Sequence, residues 1–173
     1  IKTSGAAMGT YSNVNHAPDI ISLLLLQNGV NPTEIDKKTE SAVGALRFYT
    51  GFSQGAKSVW DSTLDSSQLA FAKGNLVMYF GYSWDFFIIK AINPNLNFKT
   101  VPLPQLAKGN LNQKDMAYAT YWVQGVSNKS QNKNITWGFL KYISSKDSLS
   151  KLFANSSRQR KFGEAYPRKD MAT

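Results

Sequence analysis

Cysteine is absent from the chain, and histidine occurs once, at His16. The first absence excludes disulfides and thiolate metal centres. The second leaves no basis for a histidine-built zinc site or proton relay, so neither a metal nor another cofactor is expected. Glycine-rich phosphate-binding patterns are missing as well. Apolar runs such as Leu23 to Leu26 are short and flanked by polar residues, far from the roughly 18 to 20 residues of a membrane-spanning helix, so a soluble chain is expected. The opening residues, Ile1 to Gly5, show neither an initiator Met nor a basic segment followed by an apolar one, and no targeting signal is read there.

What the chain does hold is apolar and aromatic bulk. Of 173 residues, 42% are hydrophobic and 13% aromatic, enough for a folded domain with a full core. The net charge of +9 raises the possibility of an anionic partner. Lys and Arg are nevertheless spread along the chain, and the one dense group, Arg158 to Lys161 with Arg168 and Lys169, reads as a solvated end.

Hydrophobic spacing organises the rest. Pro18 and Asp19 suit the first turn of a helix over residues 17–27, and Asn28-Gly29 closes it. That helix is apolar nearly all round, which predicts burial on several sides. Thr39 to Phe52 carries Val43, Leu46 and Tyr49 at helical spacing, with Ala42, Ala45 and Phe48 less regularly placed. Asp65 to Gln68 has the form of a capping box before a short helix to Ala72, with Leu64 and Leu69 as its staple. Leu76 to Phe80 reads as a strand covered on both faces. Ser83 then caps a helix through Ala91, ended by Asn93-Pro94. Phe98 to Leu103 and Met116 to Val126 read as strands, Gln105 to Asp115 as a polar loop around Gly109, and Ser130 to Ile143 and Ser145 to Asn155 as helices. Strands alternating with more numerous helices predict a helix-rich α/β class with a partly parallel sheet.

The segment Gly74 to Asp85, a small turn, an apolar strand with Met78, then Gly81-Tyr82-Ser83-Trp84, resembles the signature of the solute-binding proteins of ABC importers, maltose-binding proteins among them. Asn13 to Gly29, Ala45 to Tyr49, Asn97 to Pro104, Tyr121 to Ser130 and Thr136 to Ile143 resemble further segments of that family in family order, and the order is more specific than any one motif. The resemblance implies a periplasmic-binding-protein fold of two lobes. Residues 1–100 would form the second lobe, 101–150 would belong to the first, and 151–173 would return to the second. A long first lobe would precede this point, so the chain reads as a later-half fragment that binds nothing in isolation, half of its cleft being absent.

The family's activity implies that this chain captures an extracellular solute, a sugar or oligosaccharide, between its lobes and delivers it to an ABC permease. The protein would be a monomer, extracellular or periplasmic and membrane-associated at full length, and would bind no nucleic acid. Trp84, after a strand end and at a helix start, is the ring expected to stack on a sugar, since ligands of open α/β sheets lie at such ends. Tyr82 and Asp85 flank it in the same motif. By resemblance, Asn13, Asn15 and His16 lie at the cleft lip, and Tyr121 and Trp122 on the crossing strand; Trp60 and Trp137 read as core.

No catalysis is expected. His16 has no evident Ser or Cys partner, and Asp61 and Asp65 fit loop and capping roles better than a glycosidase pair. The competing reading is a basic nucleic-acid-binding or anionic-surface-binding domain, using scattered Lys and Arg with stacking aromatic residues.

Overall fold

Pro18 brings a helix-compatible φ and lacks an N–H that the first turn could not use, and helix α1 accordingly spans Ala17–Gln27. Its other end follows from Gly29, whose φ of 73° permits the left-handed turn that stops the helix. The N–H of Val30 donates to Leu25 and that of Gly29 to Leu26, a Schellman closure that also brings Val30 against Leu25. These details come from a computed structural model that describes residues 3–106, 114–159 and 167–171. Gly109, Arg160 and Lys161 of the sequence reading lie outside the described residues.

Residues 1–119 and 120–173 form two compact units. In the first, α1 packs on helix α2, Thr39–Gly51. The face of α2 that meets α1 is not the expected Val43 and Leu46, which stay partly exposed, but Ala42, Ala45 and Tyr49. The small alanines let the helices approach closely around Leu25 and Val30. Ile21 and Leu24 reach both this cluster and a larger one built from Ala6, Met8, Val14, Ala17, Ile20, Tyr49, Trp60 and Leu76. Helix α1 is thereby covered on several sides, as its all-round apolar character requires.

A two-stranded parallel sheet lies beside these helices, β1 (Ser4–Ala6) against β2 (Leu76–Met78), with Ser4 opposite Leu76 and Ala6 opposite Met78. Leu76 enters the core, but Val77 and Met78 are 64% and 54% exposed, so β2 is not covered on both faces as its apolar run predicts. Helix α3, Ser67–Ala72, precedes β2, and Gly74 at φ 78° makes the turn between them. Helix α4, Asp85–Ile92, follows β2 and ends at Asn93, whose side chain donates to the carbonyl of Ala72 at 2.8 Å.

The capping box proposed for α3 does not form. Asp65 instead pairs with Lys73 at 2.9 Å, and the donors at the start of α3 are served from a distant loop. Asn15 Oδ1 accepts from the N–H of Gln68 at 3.1 Å and from Ser67 Oγ at 3.0 Å, while the N–H of Ser67 donates to the carbonyl of Asn13 at 2.8 Å. Phe98 to Leu103 and Met116 to Val126 join no ladder among the described residues. Pro102 and Pro104 deny the first its donors. Beside the second, the Gln105 amide takes a strand partner's place, accepting from the N–H of Met116 at 2.9 Å and donating to its carbonyl at 3.0 Å.

The second unit holds helices α5 (Lys133–Ile143) and α6 (Lys146–Gln159), packed on one another, and a 3-10 turn at Lys169–Met171. Arg168 forms a two-pronged bridge to Asp170, both bonds at 2.9 Å. Trp137, expected in the core, is exposed on α5, whose less exposed stripe runs through the half-buried Thr136, Leu140 and Ile143.

Replacing Asn15 by Ala removes an acceptor from two donors at the start of α3, and should lower unfolding stability by about 1–2 kcal/mol. Urea denaturation followed by circular dichroism measures the loss; an unchanged midpoint would mean that the remote cap contributes nothing.

Candidate functional site

The site grows from one turn. Chain leaving β2 passes through Phe80, Gly81, Tyr82 and Ser83 and enters α4 at Asp85, whose carboxylate folds back over the turn it has just left. Its Oδ2 accepts from the N–H of Tyr82 at 2.9 Å, while its own N–H donates to the carbonyl of Tyr82 at 3.0 Å. This reciprocal pair is the carboxylate half of a capping box, and it closes the turn without the Ser83 cap expected from sequence. A Cβ on Gly81 would lie 2.5 Å from Asp85 Oδ2 and 2.5 Å from a Tyr79 ring carbon. Glycine is required there by proximity alone.

Asp85 is 3% exposed, and a buried carboxylate must be surrounded by donors. It is. Besides Tyr82, Oδ2 receives the Tyr79 hydroxyl at 3.1 Å and His16 Nε2 at 3.0 Å, and Oδ1 receives the Gln68 side chain at 3.0 Å. The carboxylate thus ties together the start of α1, the first turn of α3, the end of β2 and the start of α4. Burial, with the charge of Asp85 and its hydrogen bond next in weight, holds the Tyr79 phenol well above the ordinary tyrosine range.

Aromatic rings stand on this base. Tyr82 and Trp84 stack nearly parallel, with centroids 4.4 Å apart and planes 14° apart, and His16 meets Tyr82 edge-on at 4.9 Å. The Trp84 ring remains 50% exposed. Next to the stack opens a concavity of about 200 Å³, lined by His16, Asp19, Ile20 and Leu23 of the α1 start, by residues 80–83, and by Leu103 and Tyr118. His16 heads α1 in a left-handed conformation, φ 62° and ψ 23°, which turns its ring toward Asp85 while its carbonyl accepts from Asp19 and Ile20.

Of the residues expected at the site, His16, Tyr82, Trp84 and Asp85 come together. Asn13 and Asn15 lie in the same loop but are occupied elsewhere. Asn13 accepts from Trp60 Nε1 at 3.1 Å and donates to the carbonyls of Asp61 and Leu64, and Asn15 caps α3. Trp60 itself is 2% exposed, in the core as expected. Tyr121 and Trp122 belong to the second unit and are exposed there. Sequence reasoning missed Gln68, Tyr79, Asp19 and Tyr118. Asp19 and Gln68 had been assigned local helix-start roles, and nothing in the spacing of Tyr79 or Tyr118 marks them out. Among the described residues no cluster of His, Asp and Glu has metal-site geometry, and no helix is long and apolar enough to cross a membrane.

An apolar hollow edged by rings and a few fixed polar groups is built for holding a small molecule. The family model for bacterial extracellular solute-binding proteins matches residues 3–158. The chain belongs to that family. Comparison with curated proteins and with solved structures gave no match. As an extracellular solute-binding protein it binds a solute for ABC transport, and its helix-rich α/β unit around a small parallel sheet is consistent with the periplasmic-binding type of fold.

The half-buried Tyr79 phenol carries a pH signature for this solute-binding protein. A phenol whose pKa is raised by folding contributes stability that is intact below the unfolded value, about pH 10, and lost as pH rises above it. Thermal unfolding between about pH 9 and 12 should therefore show a steep decline that Tyr79→Phe flattens. An identical alkaline profile in the variant would mean that Tyr79 ionises as freely as a surface tyrosine.

Proposed function

We propose that the solute is a carbohydrate, bound at the turn between β2 and α4 and passed to an ABC permease. The observation that carries this reading is the half-exposed Trp84, stacked on Tyr82, which itself lines the concavity although Trp84 does not. A flat ring of low conformational entropy suits the C–H face of a pyranose. Stacking on Tyr82 costs Trp84 one face and leaves the other to the ligand. His16 and Asp19 then offer polar atoms to hydroxyls from the pocket side.

Asp85 serves this site from beneath, by fixing the turn that carries the rings. Asn13 and Asn15 hold the loop that presents His16. On this reading residues 1–100 form the second lobe, 101–150 belong to the first and 151–173 return to the second. The protein works as a periplasmic or membrane-associated monomer whose lobes close on the sugar.

Isothermal titration of the full-length protein against a panel of gluco- and malto-oligosaccharides tests the proposal. One or more should bind, independently of salt, and Trp84→Ala should weaken binding about tenfold or more. Equal affinity in parent and variant would remove Trp84 from the site. Absence of carbohydrate binding, together with single-stranded DNA binding that falls steeply with salt, would replace the reading with a nucleic-acid one.

A further inference from the structure

The walls of the pocket are held in different ways. Asp19, Ile20 and Leu23 are fixed by helix α1, and the turn at residues 80–83 by the Asp85 carboxylate. Leu103 and Tyr118 complete the lining from two extended stretches, 98–106 and 114–119, neither of which joins a ladder among the described residues. A wall without backbone pairing needs another anchor.

Side-chain amides supply it. Gln27, the last residue of α1 and only 7% exposed, donates from Nε2 to the carbonyl of Pro104 at 2.8 Å. This pins the first stretch to the helix that forms the opposing wall. Gln105 then joins the first stretch to the second. Its Oε1 accepts the Met116 N–H at 2.9 Å, and its Nε2 donates to the carbonyl of Met116 at 3.0 Å and to that of Leu103 at 3.3 Å. A primary amide carries the acceptor and donors of a peptide group, so Gln105 engages both main-chain groups of Met116 as a paired strand residue would.

Extended chain sends residues two apart to the same face. Leu103 and Gln105 are partly buried while Pro104 between them is exposed, and Met116 and Tyr118 are partly buried on either side of the exposed Ala117. Fixing Met116 therefore fixes the direction in which Tyr118 leaves the chain. We infer that Gln105 is a positioning residue of the solute site: it does not line the pocket, but its amide holds Tyr118 in the lining, and solute affinity depends on it. This deepens the proposed function and rests on it for the place where the solute sits.

A double-mutant cycle in the full-length protein tests the inference, read by calorimetric titration with the tightest binder of the gluco- and malto-oligosaccharide panel. Gln105→Ala, with an unchanged circular dichroism spectrum, should weaken binding about tenfold. Gln105→Glu keeps the shape and the acceptor but loses both donors, and should weaken binding comparably. On a Tyr118→Ala background, Gln105→Ala should cost less than about twofold, because the ring it positions has gone. No loss in the single variants, or a loss that simply adds to that of Tyr118→Ala, would overturn the positioning role and leave the carbohydrate reading standing. Hydrogen exchange without any sugar reads the clasp separately: peptides covering residues 114–119 should exchange faster in Gln105→Ala while those of α1 stay protected. Unchanged exchange would overturn the inference whatever binds. If no oligosaccharide binds, the carbohydrate reading falls, and exchange alone decides whether Gln105 holds the pocket wall.

Discussion

A buried carboxylate is tolerated only where donors replace the water it has lost, and here that requirement organises a whole region. Asp85 draws one donor from each of four places in the chain: His16 ahead of α1, Gln68 in α3, Tyr79 after β2 and the Tyr82 backbone in the turn itself. Each partner is separately anchored, so the turn bearing the aromatic stack is fixed from several directions at once. Removing any one donor leaves the charge short of solvation; removing the charge leaves four groups without their acceptor.

The loop from Thr10 to His16 has a double task that its composition hides. Its inner atoms are structural. Thr10 donates to Asn13 and accepts the Tyr49 hydroxyl at its carbonyl, Asn13 accepts the indole of Trp60, and Asn15 caps α3. Only the last residue, His16, turns toward the pocket, and it does so by adopting a backbone conformation few side chains accept. The strain is held by the helix that begins immediately after it, since the His16 carbonyl starts the α1 ladder.

The helices were readable from sequence because their signals are local. Residues 17–27 declared both ends through Pro18 and Gly29, and Asn93-Pro94 marked the end of α4. The strands were harder. Phe98 to Leu103 and Met116 to Val126 have strand composition, but pairing depends on a partner that composition does not reveal, and a glutamine side chain serves one of them instead. The site was legible where it follows a motif, at Tyr82, Trp84 and Asp85, and illegible where it depends on residues far apart in sequence. Gln68 and Tyr79 become recognisable only once a buried charge is known to need them. Asn13 and Asn15, placed at the cleft lip by resemblance, spend their side chains on Trp60 and on the start of α3.

Helix α3 is only six residues long, too short to persist by itself. Its first donors are met by a loop some 52 residues earlier, at Asn15. Order in α3 therefore cannot precede arrival of that loop, and because Gln68 reaches Asp85 from the same turn, the turn bearing Tyr82 and Trp84 waits on a long-range closure of the chain. During synthesis, residues 10 to 16 emerge before these partners and stay without them until the chain through α4 has followed.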